Sequence, residues 1–87
     1  MSKYKIFITK RAQKDIKKLD PDAKRQIIQA IDSLANNPNP PNVKALKGDY
    51  KGFLRKRSGD YRIIYEKLES DLKIIVVRAG HRKDIYD

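Results

Sequence analysis

Cysteine and tryptophan are absent, methionine and histidine occur once each, and no apolar run exceeds Ile74 to Val77. Without cysteine there is neither a disulfide framework nor a thiolate metal site. The Ile74 to Val77 run is far short of the roughly 20 apolar residues a membrane span needs. The opening Met-Ser-Lys-Tyr-Lys-Ile carries no long apolar stretch and no small-residue cleavage site, so the expectation is a soluble, cytoplasmic protein with no membrane partner. One histidine and no carboxylate cluster leave nothing to hold a catalytic ion, so no metal or cofactor is expected. The 87 residues fit one domain, 1–87, whose thin core buries roughly 60–65% of the unfolded surface.

What is abundant is positive charge. Lysine and arginine total 21 against 11 acidic residues, a net charge of +10. Such a surplus attracts polyanions and speeds association with them. The charge is also localised. The stretch 51–62 (KGFLRKRSGDYR) carries Lys51, Arg55, Lys56, Arg57 and Arg62 against Asp60 alone, and 78–83 (RAGHRK) adds Arg78, Arg82, Lys83 and His81. Basic residues at strand spacing beside aromatics suit a surface that grips phosphates and stacks bases.

The order of elements is legible. Lys3 to Ile8 alternates as a first strand, with Tyr4, Ile6 and Ile8 on one side. Thr9 caps a helix over Lys10 to Leu19, where Ala12, Ile16 and Leu19 share a face. Asp20 then caps and Pro21 opens a second helix to about Ala35, with Ala23, Ile27, Ala30, Ile31 and Leu34 as its apolar stripe. Asn36 to Asn42 (NNPNPPN) cannot continue a helix. Val43 to Gly52 reads as an irregular connection with turns at Gly48 and Gly52. Three strands follow: Phe53 to Arg57, Tyr61 to Lys67 after the turn Ser58-Gly59-Asp60, and Leu72 to Ala79 after Glu69-Ser70-Asp71. The last is expected to be buried on both faces, and Gly80 to end it before a tail from His81 to Asp87. The predicted class is α+β: an N-terminal strand, a helical hairpin, then a three-stranded antiparallel meander, with the helices as one layer on the sheet.

Period-2 geometry puts Arg55 and Arg57 on one strand face and Lys56 on the other. If Arg62 shares the face of Arg55 and Arg57, three guanidiniums converge, and the tail can add His81, Arg82 and Tyr86. Such a group resembles a metal-free ribonuclease site: arginine forks hold the phosphate and its developing charge, and histidine or tyrosine moves protons. Taken singly, arginines on an exposed strand are usually a solvated face and a lone histidine is usually a surface residue. Composition and spacing alone support a basic α+β domain that faces RNA.

Leu46-Lys47-Gly48, Arg55-Lys56-Arg57, the stretch 59–66 (GDYRIIYE) and the ending 80–86 (GHRKDIY) resemble the RelE/ParE toxin superfamily over nearly the whole chain. The 59–66 stretch is common to its nuclease and non-nuclease branches, and the ending points to the RelE-type nuclease branch. The resemblance implies a fold related to small microbial ribonucleases. It also implies cleavage of messenger RNA in the ribosomal A site, by attack of the 2′-hydroxyl on the adjacent phosphate without a metal. The implied partners are the ribosome, mRNA and a cognate antitoxin, with operator DNA bound only through the antitoxin complex. Carried over, the implied catalytic set is Arg55, Arg57, Arg62, His81, Arg82 and Tyr86, with Lys51, Lys56, Arg78 and Lys83 along the RNA. A well-studied relative has lysines where this chain has Arg55 and Arg57. A guanidinium does not give up its proton, so His81, or failing it Tyr86, is the expected base. Two alternatives remain: a ParE-like toxin that poisons DNA gyrase without nuclease activity, and an inactive relative that only binds antitoxin and operator.

Overall fold

The computed structural model describes residues 3–38 and 43–85. Strand β1 (Lys5–Ile8) leads into helix α1 (Lys10–Lys17) and helix α2 (Pro21–Asn36). The strands β2 (Val43–Ala45), β3 (Leu54–Ser58), β4 (Tyr61–Leu68) and β5 (Lys73–His81) complete the chain, with a 3₁₀ turn at Gly48–Tyr50. All five strands form one sheet in the order β1-β5-β4-β3-β2. Only β1 runs parallel to its neighbour, because the helical hairpin carries the chain across the sheet between β1 and the meander.

The helix starts follow from local chemistry. The Thr9 hydroxyl accepts from the Ala12 N–H, and the Asp20 carboxylate accepts from the Ala23 N–H ahead of Pro21 at the first helical position. Ala12 from α1 and Ala23, Ile27, Ala30, Ile31 and Leu34 from α2 are buried. All of these but Ala23 close over Ile63, Tyr65, Ile74, Val76 and Ala79 of the sheet as the main core. On the opposite face Leu46, Ile64 and Ile85 form a smaller cluster, joined by Tyr50, Phe53 and Val77.

Three expectations need correction. The segment 43–52 is not wholly irregular: Val43–Ala45 forms the edge strand β2, paired antiparallel with β3. The strand buried on both faces is β4, where Ile63, Ile64 and Tyr65 are all fully buried; Ile75 and Val77 of β5 are only half-buried. Gly80 does not end β5 but pairs with Arg62 inside it. A side chain there would meet Ile85, 3.3 Å from the position of its Cβ, so glycine lets the tail return onto the sheet. The prolines of 39–42 lie outside the described residues.

Two local features aim the site. The β3–β4 hairpin turns through Gly59 at φ +59°, the pattern of a two-residue turn with glycine first. A side chain at Gly59 would also strike Gln26, 2.9 Å away; Gln26 itself donates to Ser58 O at 2.9 Å, tying α2 to the hairpin. Strand β5 carries one extra residue, for Ile64 pairs with Arg78 and Tyr65 with Val76, leaving Val77 without a counterpart. Such a bulge shifts the alternation of every residue beyond it.

Tyr65 donates its hydroxyl to Pro38 O at 2.5 Å, and burial raises its pKa from 10.0 to about 12. Below pH 10 the phenol is neutral in both states and its contribution to stability is complete. Between pH 10 and about 12 only the unfolded chain ionises, so stability falls as pH rises through that window. Denaturant unfolding is expected to show Tyr65→Phe losing about 2–3 kcal/mol less than the parent across it. Parallel pH profiles would refute this role for the buried phenol.

Candidate functional site

Strand register decides which cations meet. Arg57 pairs with Arg62 and Arg55 with Ile64, and side chains of paired residues stand on the same face. Arg55, Arg57 and Arg62 therefore share the face turned away from the helices. Lys44 on β2 pairs with Arg55 and adds a fourth, exposed cation. Arg82 follows: its N–H donates to Asp60 O at 2.8 Å, which continues the β4–β5 pairing and returns Arg82 to this face. Its Nε lies 3.9 Å from an Asp60 carboxylate oxygen, both side chains being exposed.

The cluster is electrostatically loaded. Partial burial, then the charge of Arg62, then that of Arg57 pull the Arg55 pKa below its ordinary value. The Nε atoms of Arg55 and Arg62 are shielded from solvent. Each guanidinium stays protonated, so repulsion among them is relieved by an anion rather than by loss of a proton. A phosphodiester is such an anion, and the planar fork fits two of its oxygens.

His81 does not join this face. It pairs with Tyr61, whose ring packs against the main core on the helical side. The His81 ring stands edge-on to Tyr61, centroids 5.5 Å apart. Beside it, between α1 and the tail, lies a concavity of about 390 Å³ lined by Asp15, Lys18, Gly80, His81 and Asp84 among others. The expectation that imidazole and guanidiniums converge is thus not met, because the Val77 bulge turns residue 81 to the other side of the sheet.

Arg78 is also occupied. Its Nε donates to Asp15 at 2.8 Å, and the same carboxylate oxygen accepts the Ala79 N–H at 3.2 Å. The hydrogen bond to Asp15 raises the Arg78 pKa against the opposing effect of burial, with further help from Asp15's charge and from Tyr50. This charge is matched within the fold and ties α1 to the part of β5 that β1 leaves unpaired. Lys56 pairs with Ile63 on the helical side, whereas Lys51 and Lys83 are exposed in turns. Tyr86 lies outside the described residues. Lys44 was missed by sequence reasoning because three residues are too few for alternation to register as a strand.

A further concavity of about 620 Å³ has Ile8, Ile16 and Ile28 among its lining and Lys10, Lys14, Lys17 and Lys24 around it. It contains none of Arg55, Arg57, Arg62 and Arg82, and neither does the first. The arginine face is open surface, suited to an extended polyanion more than to an enclosed small molecule. Among the described residues no three His, Cys, Asp or Glu side chains gather to hold a metal ion, and no helix is long and apolar enough to cross a membrane.

Comparison with known proteins decides the family. The model of the ParE toxin of the type II toxin–antitoxin system parDE matches residues 6–86. Toxin RelE1 of Methanocaldococcus jannaschii is 33% identical over 87 residues, covering 97% of this chain and 96% of the relative. The chain belongs to the RelE/ParE toxin superfamily, in its RelE-type branch. Toxin RelG of Mycobacterium tuberculosis is 29% identical over 84 residues, 95% of each chain. This RelE-type chain superposes on the solved RelBE2 toxin–antitoxin complex of M. tuberculosis with a TM-score of 0.82, at 25% identity over 91% of this chain and 98% of that one. For the archaeal RelE–RelB complex of Pyrococcus horikoshii the TM-score is 0.79, at 28% identity over 95% and 99%. The protein is accordingly a toxin of a type II toxin–antitoxin system.

The Asp15–Arg78 pair gives a test of the scaffold. Removing one partner of a mostly buried ion pair leaves the other uncompensated, so Asp15→Ala is expected to lower unfolding stability by about 2–4 kcal/mol. A loss under about 0.5 kcal/mol, typical of an exposed pair, would contradict the anchoring role.

Proposed function

We propose that this toxin is a ribosome-dependent, metal-free endoribonuclease that cleaves mRNA in the A site and is neutralised in the cytoplasm by a cognate antitoxin. The observation that carries the reading is the convergence of Arg55, Arg57, Arg62 and Arg82 on one open sheet face. It is supported by relatives named as RelE-type toxins. In the reaction the O2′–P bond forms and the P–O5′ bond breaks, while one proton leaves O2′ and one reaches O5′. Negative charge gathers on the non-bridging oxygens as this happens. Arg57 and Arg62 are assigned to clamp those oxygens, Arg55 to position the phosphate, and Arg82 to stabilise the leaving-group side. Lys44 and Lys51 extend the grip along the RNA backbone. Proton transfer falls to Tyr86, on the strength of the family resemblance, or to groups of the ribosome and the RNA.

A second reading is a ParE-like toxin without nuclease activity, favoured by the ParE family match and by the separation of His81 from the arginines. Primer extension on ribosome-bound transcripts separates the two. Arg62→Ala is expected to reduce cleavage by about 10² to 10³, the effect of losing one oxyanion donor. Growth arrest that survives this substitution, with supercoiling disturbed and transcripts intact, would favour the second reading.

Affinity for a single-stranded RNA oligonucleotide should fall steeply with salt. For contacts from Lys44, Arg55, Arg57, Arg62 and Arg82, the log–log slope is expected near −3.5, reduced by about 0.7 in Arg55→Ala. A flat response in the parent protein would count against phosphate neutralisation by this face.

A further inference from the structure

His81, the last residue of β5, takes three of the four backbone N–H groups of the 82–85 turn that follows it. The His81 carbonyl accepts from the N–H groups of Asp84 at 2.8 Å and Ile85 at 3.1 Å. Its imidazole Nδ1 accepts from the Lys83 N–H at 3.1 Å. The remaining N–H of the turn, that of Arg82, goes across to Asp60 O. His81 thus serves the 82–85 turn as a capping serine or aspartate serves a helix start, its side chain accepting a nearby backbone N–H that would otherwise lose its partner. The edge-on contact with Tyr61 fixes the ring in the orientation this bond requires.

The consequences appear at both ends of the turn. Ile85 drops into the cluster with Leu46 and Ile64, almost fully buried. Arg82 is returned across the sheet edge toward Asp60 and the arginine face. For Nδ1 to accept the Lys83 N–H it must carry a lone pair, which commits that nitrogen to the turn. The pleat meanwhile keeps the ring on the helical side.

We infer that His81 is a positioning residue: its imidazole caps the 82–85 turn and thereby sets Arg82 on the arginine face, and it exchanges no proton with RNA. The inference rests on the nuclease reading for its activity arm but not for its structural arm.

The experiment compares His81→Asn with His81→Ala. The asparagine carbonyl oxygen can replace Nδ1 as acceptor for the Lys83 N–H but has no titrating proton, whereas alanine offers no acceptor. Cleavage of ribosome-bound mRNA by His81→Asn is expected to stay within about threefold of the parent, and that of His81→Ala to fall about tenfold or more, the order of a lost cap acting on Arg82. In the Arg82→Ala background His81→Ala should cost nothing further, because it acts through Arg82. An asparagine variant as inactive as the alanine variant, or additive losses in the double mutant, would overturn the proposal in favour of direct proton transfer. Hydrogen exchange at the Lys83 amide reads the cap itself: about fivefold faster or more in His81→Ala and near parent in His81→Asn. Equal protection in all three proteins would overturn the cap. If the parent protein cleaves nothing, the nuclease reading fails, and the exchange measurement still decides whether His81 holds the turn.

Discussion

The extra residue Val77 in β5 governs which side chains share a surface. Before the bulge, Ile74 and Val76 face the helices; after it, Ala79 and His81 do, while Gly80 and then Arg82 are turned to the opposite side. A strand without the extra residue would send His81 toward the arginines and Arg82 away from them. The bulge also turns Arg78 to the face of Ile64, and from there its side chain pairs with Asp15 of α1 at the stretch of β5 beyond β1. One inserted residue therefore separates the imidazole from the guanidiniums and completes the cationic face with Arg82.

That face needs a rigid base because its members repel one another. The base is β4, whose Ile63 and Tyr65 are sealed by the helical hairpin and whose Ile64 is sealed by Leu46 and Ile85. Burial on both sides fixes the strand between β3 and β5, so the spacing of Arg55, Arg57 and Arg62 is set by hydrogen-bonded register and not by flexible loops. Burial also lowers the local dielectric beneath Arg55, which strengthens both the repulsion and the attraction for an incoming anion. Positive charge held in place before the substrate arrives requires no reorganisation as negative charge develops.

Much of this was legible because periodicity and capping are local. Thr9, Asp20 and Pro21 announce the helix starts, and the apolar stripes of both helices lie in the core as their spacing predicts. The shared face of Arg55, Arg57 and Arg62 follows from alternation across a hairpin whose turn is written in Gly59. What escaped depends on long-range pairing. Edge strand β2 has only three residues, so its alternation is too brief to register. The bulge has no sequence mark, since Val77 in a run of β-branched residues looks like any other strand position. The partner of Arg78 is Asp15, distant in sequence, and no local pattern pairs them. The placement of His81 went astray for the same reason as the bulge: counting along a strand holds only while the register is unbroken.

The account stands on the arginine face receiving the phosphate, and resonance mapping of the arginine Nε–H groups tests it most directly. The ligand would be an oligonucleotide methylated at O2′, which binds but cannot be cut at that position. The largest shifts are expected at Arg55, Arg57, Arg62 and Arg82, with Arg78 and the lysines of the helical hairpin little changed. Shifts centred on the hairpin or spread evenly over every cation would contradict it.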